Sequence, residues 1–114
     1  MARQCIILLL VLSLAACSTS GVPNTSAPSA TRGLAYAQQV CAACHAVEAA
    51  QDVSPNRAAP TFMAIANLPG MTPAALNVWL HSAHASMPNL VVEPKDRADI
   101  AAYLDTLRRT GGTA

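Results

Sequence analysis

Cys41-Ala42-Ala43-Cys44-His45 is the stretch from which the rest of this 114-residue chain can be read. Two thiols three residues apart share one face of a helical turn, and an imidazole follows at once. That order is the attachment pattern of a c-type haem. Each thiol can add across one vinyl group of the porphyrin, and the histidine next in the chain can turn a ring nitrogen onto the iron. Other uses of a Cys-x-x-Cys pair fit less well. A zinc finger takes its second ligand pair about a dozen residues on, with three to five residues between histidines, and His81 and His84 have neither spacing. A thioredoxin-like pair follows a strand in a βαβ context, whereas residues 34–40 are rich in alanine and glutamine and read as helix. A disulfide framework needs cysteines with no better use, and here each has its own explanation.

Residues 1–16 carry Arg3, an apolar run over residues 5–14 and small side chains at Ala15 and Ala16, the pattern of an export signal. The run is well short of the roughly 20 residues that a membrane-spanning helix needs. Cys5 leaves with this segment. Leu14-Ala15-Ala16-Cys17 resembles the lipobox of bacterial lipoproteins, in which Cys17 becomes the lipid-modified first residue of the mature chain. Ordinary cleavage near Ser13-Leu14-Ala15 is the alternative, and it leaves Cys17 an unmodified exported thiol. The resemblance implies more than one acyl chain, enough for stable membrane anchoring where one chain binds only marginally. Ser18 resembles the sorting residue for an outer membrane. Cys41 and Cys44 then remain for haem. An oxidising compartment closes such a pair into a disulfide unless it is kept reduced until haem arrives, so a dedicated maturation system is expected.

After Cys17, residues 18–31 contain Ser, Thr, Pro, Asn and Gly with few apolar side chains, a composition that cannot fold alone. Residues 17–31 are therefore expected to be a lipidated cysteine and its tether, residues 32–110 one folded domain, and residues 111–114 a tail. The domain reads as all-α. A first helix leads into the haem motif; a polar loop spans residues 47–58; a brief helical turn follows Ala59-Pro60-Thr61-Phe62 and ends at Leu68-Pro69-Gly70. Thr72-Pro73 starts a third helix, with a hydroxyl at the N-cap and proline at the first position. A last helix begins near Glu93-Pro94, acidic at its start and with Arg108-Arg109 towards its end, as the helix dipole favours. Its Ile100, Tyr103, Leu104 and Leu107 form one apolar stripe. Charge is sparse, at 11% of residues against 53% apolar. With no basic stripe or aromatic-studded groove, nucleic acid is not an expected partner.

Residues 33–107 resemble a class I cytochrome c. In that family the first and last helices cross closely, through a glycine eight residues before the first haem cysteine and an aromatic on the last helix. Gly33 and Tyr103 stand at those positions, with Ala37 and Ile100 beside them. The Met87-Pro88 dipeptide matches the family's distal ligand, and the run from His84 to Leu90 followed by Ala101-Ala102-Tyr103-Leu104 is similar to small bacterial members. The resemblance implies a cytochrome c fold: about three main helices and a short one, wrapped around one covalently bound haem. It also implies that Pro60 accepts a hydrogen bond from His45 Nδ1, although Ala59 stands where the family usually has glycine.

For the distal position, Met63, Met71, His81 and His84 compete with Met87. The first two read as core or loop residues and the histidines as solvated surface, which leaves Met87. His45 and a thioether would fill both axial positions, leaving an iron that exchanges electrons and binds no substrate. An apolar surround from Phe62, Ile65, Leu68, Leu76 and Leu80 favours a relatively high potential. Trp79 is expected either to reach a haem propionate with its indole N-H or to pack in the core. Arg57 could pair with the other propionate or remain a solvated loop residue.

These readings together predict an electron carrier rather than an enzyme, exported and lipid-anchored to a bacterial membrane, facing the periplasm or the cell exterior. Its expected partners are membrane-bound dehydrogenases, reductases or oxidases. A haem subunit of a dehydrogenase or oxidase complex, and a haem sensor or peroxidase-like protein with a labile distal ligand, are the alternatives. Seven basic residues less Arg3 equal the six acidic ones, so no charged ring is available to steer partners. The tether would replace it by raising local concentration.

Overall fold

A computed structural model describes residues 26–82, Met87 and residues 90–111. The expectations for the signal peptide, for Cys17 and most of the tether, for His84 and for residues 112–114 lie outside the described residues. Among those described are four helices and no strand: α1 (Ala30–Val40), α2 (Phe62–Ala66), α3 (Pro73–His81) and α4 (Pro94–Gly111). The fold is all-α, as expected for a cytochrome c.

α4 is the spine. Its stripe of Ile100, Tyr103, Leu104 and Leu107 is buried, and α1 packs against it most extensively, then α2, then α3. Ala37 of α1, Phe62 and Ala66 of α2, Leu76 of α3 and the loop residues Val47 and Val92 complete the core. The α1–α4 crossing is close because Gly33 has no side chain there. A Cβ on it would stand 2.1 Å from the Asp99 carbonyl oxygen and 2.9 Å from the Tyr103 Cβ.

Three short side chains start three of the helices by accepting from an orphan backbone N-H. Ser29 accepts from Arg32, Thr61 from Ala64 and Thr72 from Ala75. Pro73 occupies the first turn of α3 without losing a bond it would otherwise make. Gly70, with φ +80°, makes the turn between α2 and α3 that an L side chain resists. Arg108 reaches across from α4 to secure that turn, donating to the carbonyls of Ala66 and Met71 at 3.0 and 2.6 Å.

α1 begins at Ala30, inside the segment that composition assigns to the tether. The reason is far away in sequence. Asp99, buried in α4, accepts from the Ser29 backbone N-H at 2.7 Å, from Arg32 Nε and Nη2 at 2.8 Å each, and from Lys95 Nζ at 3.0 Å. Those donors, the Arg32 guanidinium first and working against burial, hold the carboxyl well below the usual carboxylate range. A charged clamp thus fixes the start of α1, and Arg32 also donates to the Ala27 carbonyl.

Candidate functional site

The Cys41–His45 motif continues α1 as one further turn. Cys41 N-H donates to the Ala37 carbonyl at 2.8 Å, and His45 N-H to the Cys41 carbonyl at 2.9 Å. Both thiols are unpaired and half-buried, so neither is spent on a disulfide. Burial pushes the Cys41 thiol up to about 11, which leaves it almost wholly protonated at neutral pH.

His45 is oriented from two sides. Its Nδ1 lies 2.7 Å from the Pro60 carbonyl oxygen. A carbonyl can only accept, so Nδ1 carries the proton and the lone pair is left on Nε2, the atom available to a metal. The Phe62 ring meets the imidazole edge-on, with centroids 5.7 Å apart. Phe62 in turn lies 6.5 Å from Tyr103, whose hydroxyl donates to the Val47 carbonyl at 2.7 Å. The His45 imidazole is therefore backed by α2 and by the spine helix.

The polar loop after the motif acts on the motif itself. Ser54 is buried and accepts from the Ala46 N-H at 2.9 Å; Gln51 accepts from the N-H groups of Val47 and Glu48; Asn56 N-H donates to the Cys44 carbonyl. Phe62 N-H closes the loop on the Ala46 carbonyl at 2.8 Å. Composition marks this stretch as loop and carries no sign that its side chains lock the backbone on either side of His45.

Met87, on the segment between α3 and α4, is half-buried. Of its rivals, Met63 packs against the core and its sulfur accepts from Asn67 Nδ2 at 3.5 Å, while Met71 also packs against the core. His81 is exposed at the end of α3. Phe62 and Leu76 are buried and Ile65 and Leu80 are half-buried, but Leu68 is 50% exposed. Trp79 is 56% exposed, which rules out the core packing considered for it, and Arg57 is exposed in its loop. The donor set nonetheless suits a c-type haem: two free thiols, a histidine with its Nε2 unspent, and a thioether.

A curated protein named cytochrome c-552, from Bradyrhizobium diazoefficiens, is 33% identical to the chain over 99 residues, 87% of this chain and 90% of that protein. The chain belongs to the c-type cytochromes. No protein-family model matches it, and no solved structure matches it with comparable significance. The match extends over most of this cytochrome's length. Among the described residues no helix is long and apolar enough to cross a membrane.

Proposed function

We propose that this cytochrome carries single electrons between redox proteins outside the cytoplasm, held to a membrane by lipid on Cys17. The observation that carries the reading is the state of His45. Its Nδ1 is committed to the Pro60 carbonyl and its Nε2 is free, beside two unpaired thiols. Cys41 and Cys44 would hold one haem covalently, and His45 and Met87 would bind its iron. When bound, that haem supplies an iron that takes up and releases one electron at a time.

The chain's own groups decide how that capacity is used. Pro60 fixes the tautomer of His45 and strengthens it as a ligand by drawing on Nδ1-H. Met87, as a second protein ligand, would exclude dioxygen, peroxide and other small ligands from the metal. Partners are membrane-bound redox enzymes met in short encounters of small area, as is usual for electron transfer. Few surface charges are available to guide them, so the anchor and tether keep the domain close to the membrane.

The test is an absorption spectrum of protein purified from a host able to mature c-type cytochromes, with and without reductant. A covalent haem spectrum that survives denaturation is expected, and Met87→Ala should alter it and admit carbon monoxide to the reduced form. A colourless chain whose thiols still react with a label would overturn the proposal. For the anchor, a Cys17→Ser form should leave the membrane fraction and slow exchange with membrane-bound partners; unchanged partition and unchanged rate would remove lipid from the account.

A further inference from the structure

Arg97, in the second turn of α4, holds both shoulders of the segment that carries Met87. Its Nε donates to Asn77 Oδ1 on α3 at 2.6 Å, and its Nη1 donates to the Val92 carbonyl, just before α4. Asn77 precedes Met87 in the chain and Val92 follows it. One planar guanidinium therefore fixes the distance between the element that leads into the segment and the one that leads out of it.

Of the described residues between α3 and α4, Val92 is buried and Met87 half-buried, whereas Ser82, Leu90, Val91 and Glu93 are exposed. α3 is also the helix with the least contact to α4. Among these described residues Val92 is the buried apolar anchor, and the arginine adds a directional restraint on the same residue and on α3. We infer that Arg97 is a positioning residue for the distal ligand, keeping the Met87 sulfur against the iron by bracing Asn77 to Val92. The inference rests on the reading of Met87 as that ligand.

The mechanism is an entropic one. A ligand on a loop competes with exogenous ligands according to how much freedom the loop regains on release, and tying its ends reduces that freedom. Removing the brace should favour the released state and leave His45, which is held from α1 and α2, undisturbed.

The experiment measures imidazole affinity for the ferric holoprotein, with the iron–thioether absorption band and the unfolding midpoint recorded alongside. Arg97→Ala is expected to tighten imidazole binding about tenfold, the scale set by one charged hydrogen bond, and to weaken the band. Asn77→Ala, at an exposed position, should act in the same direction by less, and its effect should vanish in the Arg97→Ala background. Arg97→Lys, which can reach one acceptor but not fork to both, should restore only part of the parent behaviour.

Arg108→Ala is the comparison for general softening, because Arg108 bonds the α2–α3 turn and not the shoulders of the Met87 segment. If Arg108→Ala lowers the unfolding midpoint as much and tightens imidazole binding equally, the specific role of Arg97 is wrong. It is also wrong if Arg97→Ala and Asn77→Ala leave imidazole affinity within about twofold of the parent while Met87→Ala raises it strongly. If Met87→Ala itself changes nothing, the distal assignment falls and this inference falls with it.

Discussion

The two sides of the candidate haem site are held by different means. On the side of His45, α1 crosses α4 at Gly33, a buried carboxylate clamps the start of α1, and Tyr103 and Phe62 stand behind the imidazole. On the side of Met87, Val92 is the buried apolar residue among those described, and one arginine braces it to Asn77. On the proposed reading the contrast suits the two side chains: a histidine beside two haem-bearing cysteines gains from a stiff scaffold, whereas a thioether between two braced shoulders can be tuned by a few polar contacts.

The largest effect should follow from closing the space at the crossing. In Gly33→Ala the new methyl meets the Asp99 backbone, which cannot rotate away, so the helices must separate along the spine. A loss of about 3 kcal/mol in chemical denaturation is expected, at the upper end for overpacking. Should the loss stay below about 1 kcal/mol, the crossing is more pliable than its geometry implies and the contrast between the two sides weakens.

A smaller effect with a distinct pH signature should follow from neutralising the clamp. Asp99→Asn keeps an acceptor for the Ser29 N-H but loses the charge that meets Arg32 and Lys95, and a cost of about 2 kcal/mol near neutral pH is expected. In the unfolded chain an aspartate titrates near 4, and in the folded protein Asp99 is held below that. Its stabilisation is therefore complete above the unfolded value and is lost as pH falls through it towards the folded one. Unfolding midpoints measured down the acid limb should show the parent losing its advantage over Asp99→Asn below about pH 4. A parallel pair of curves would mean that the clamp acts by shape and not by charge.

Much of the architecture is legible in the chain before any coordinates. The apolar stripe Ile100, Tyr103, Leu104 and Leu107 announces α4, and Thr72-Pro73 announces α3, because periodicity and capping are local properties. The motif names its own chemistry, since few other uses put an imidazole directly after two spaced thiols. What stays hidden is long-range. Asp99 looks like one more charge on the first half of a helix, and its donors at Ser29 and Arg32 lie some seventy residues away. That separation is also why the start of α1 falls inside a stretch whose composition reads as linker. Gln51, Ser54 and Arg97 escape notice for a similar reason: each bonds to backbone carbonyls, backbone N-H groups or a side-chain amide, which leave no mark in residue type. Trp79 is a different case: of the two readings that its indole offers, only core packing gives way, because its helix turns that face outward.

The smallest expected effect is the one that defines how locally the Met87 side is held. Val91 and Val92 are neighbours of identical chemistry, one 87% exposed and the other 3%. If the segment is pinned at a single point, changing the outer one should matter little: Val91→Ser should move stability by no more than about 0.5 kcal/mol, as for surface positions generally. Imidazole affinity should be equally indifferent, since the hydroxyl adds nothing near the Arg97 bonds. A shift of tenfold in that affinity would mean that Val91 is covered in the mature protein, by the porphyrin or by another part of the segment. The Met87 side would then owe its hold to packing spread along its length, and the arginine brace would be one contributor among several.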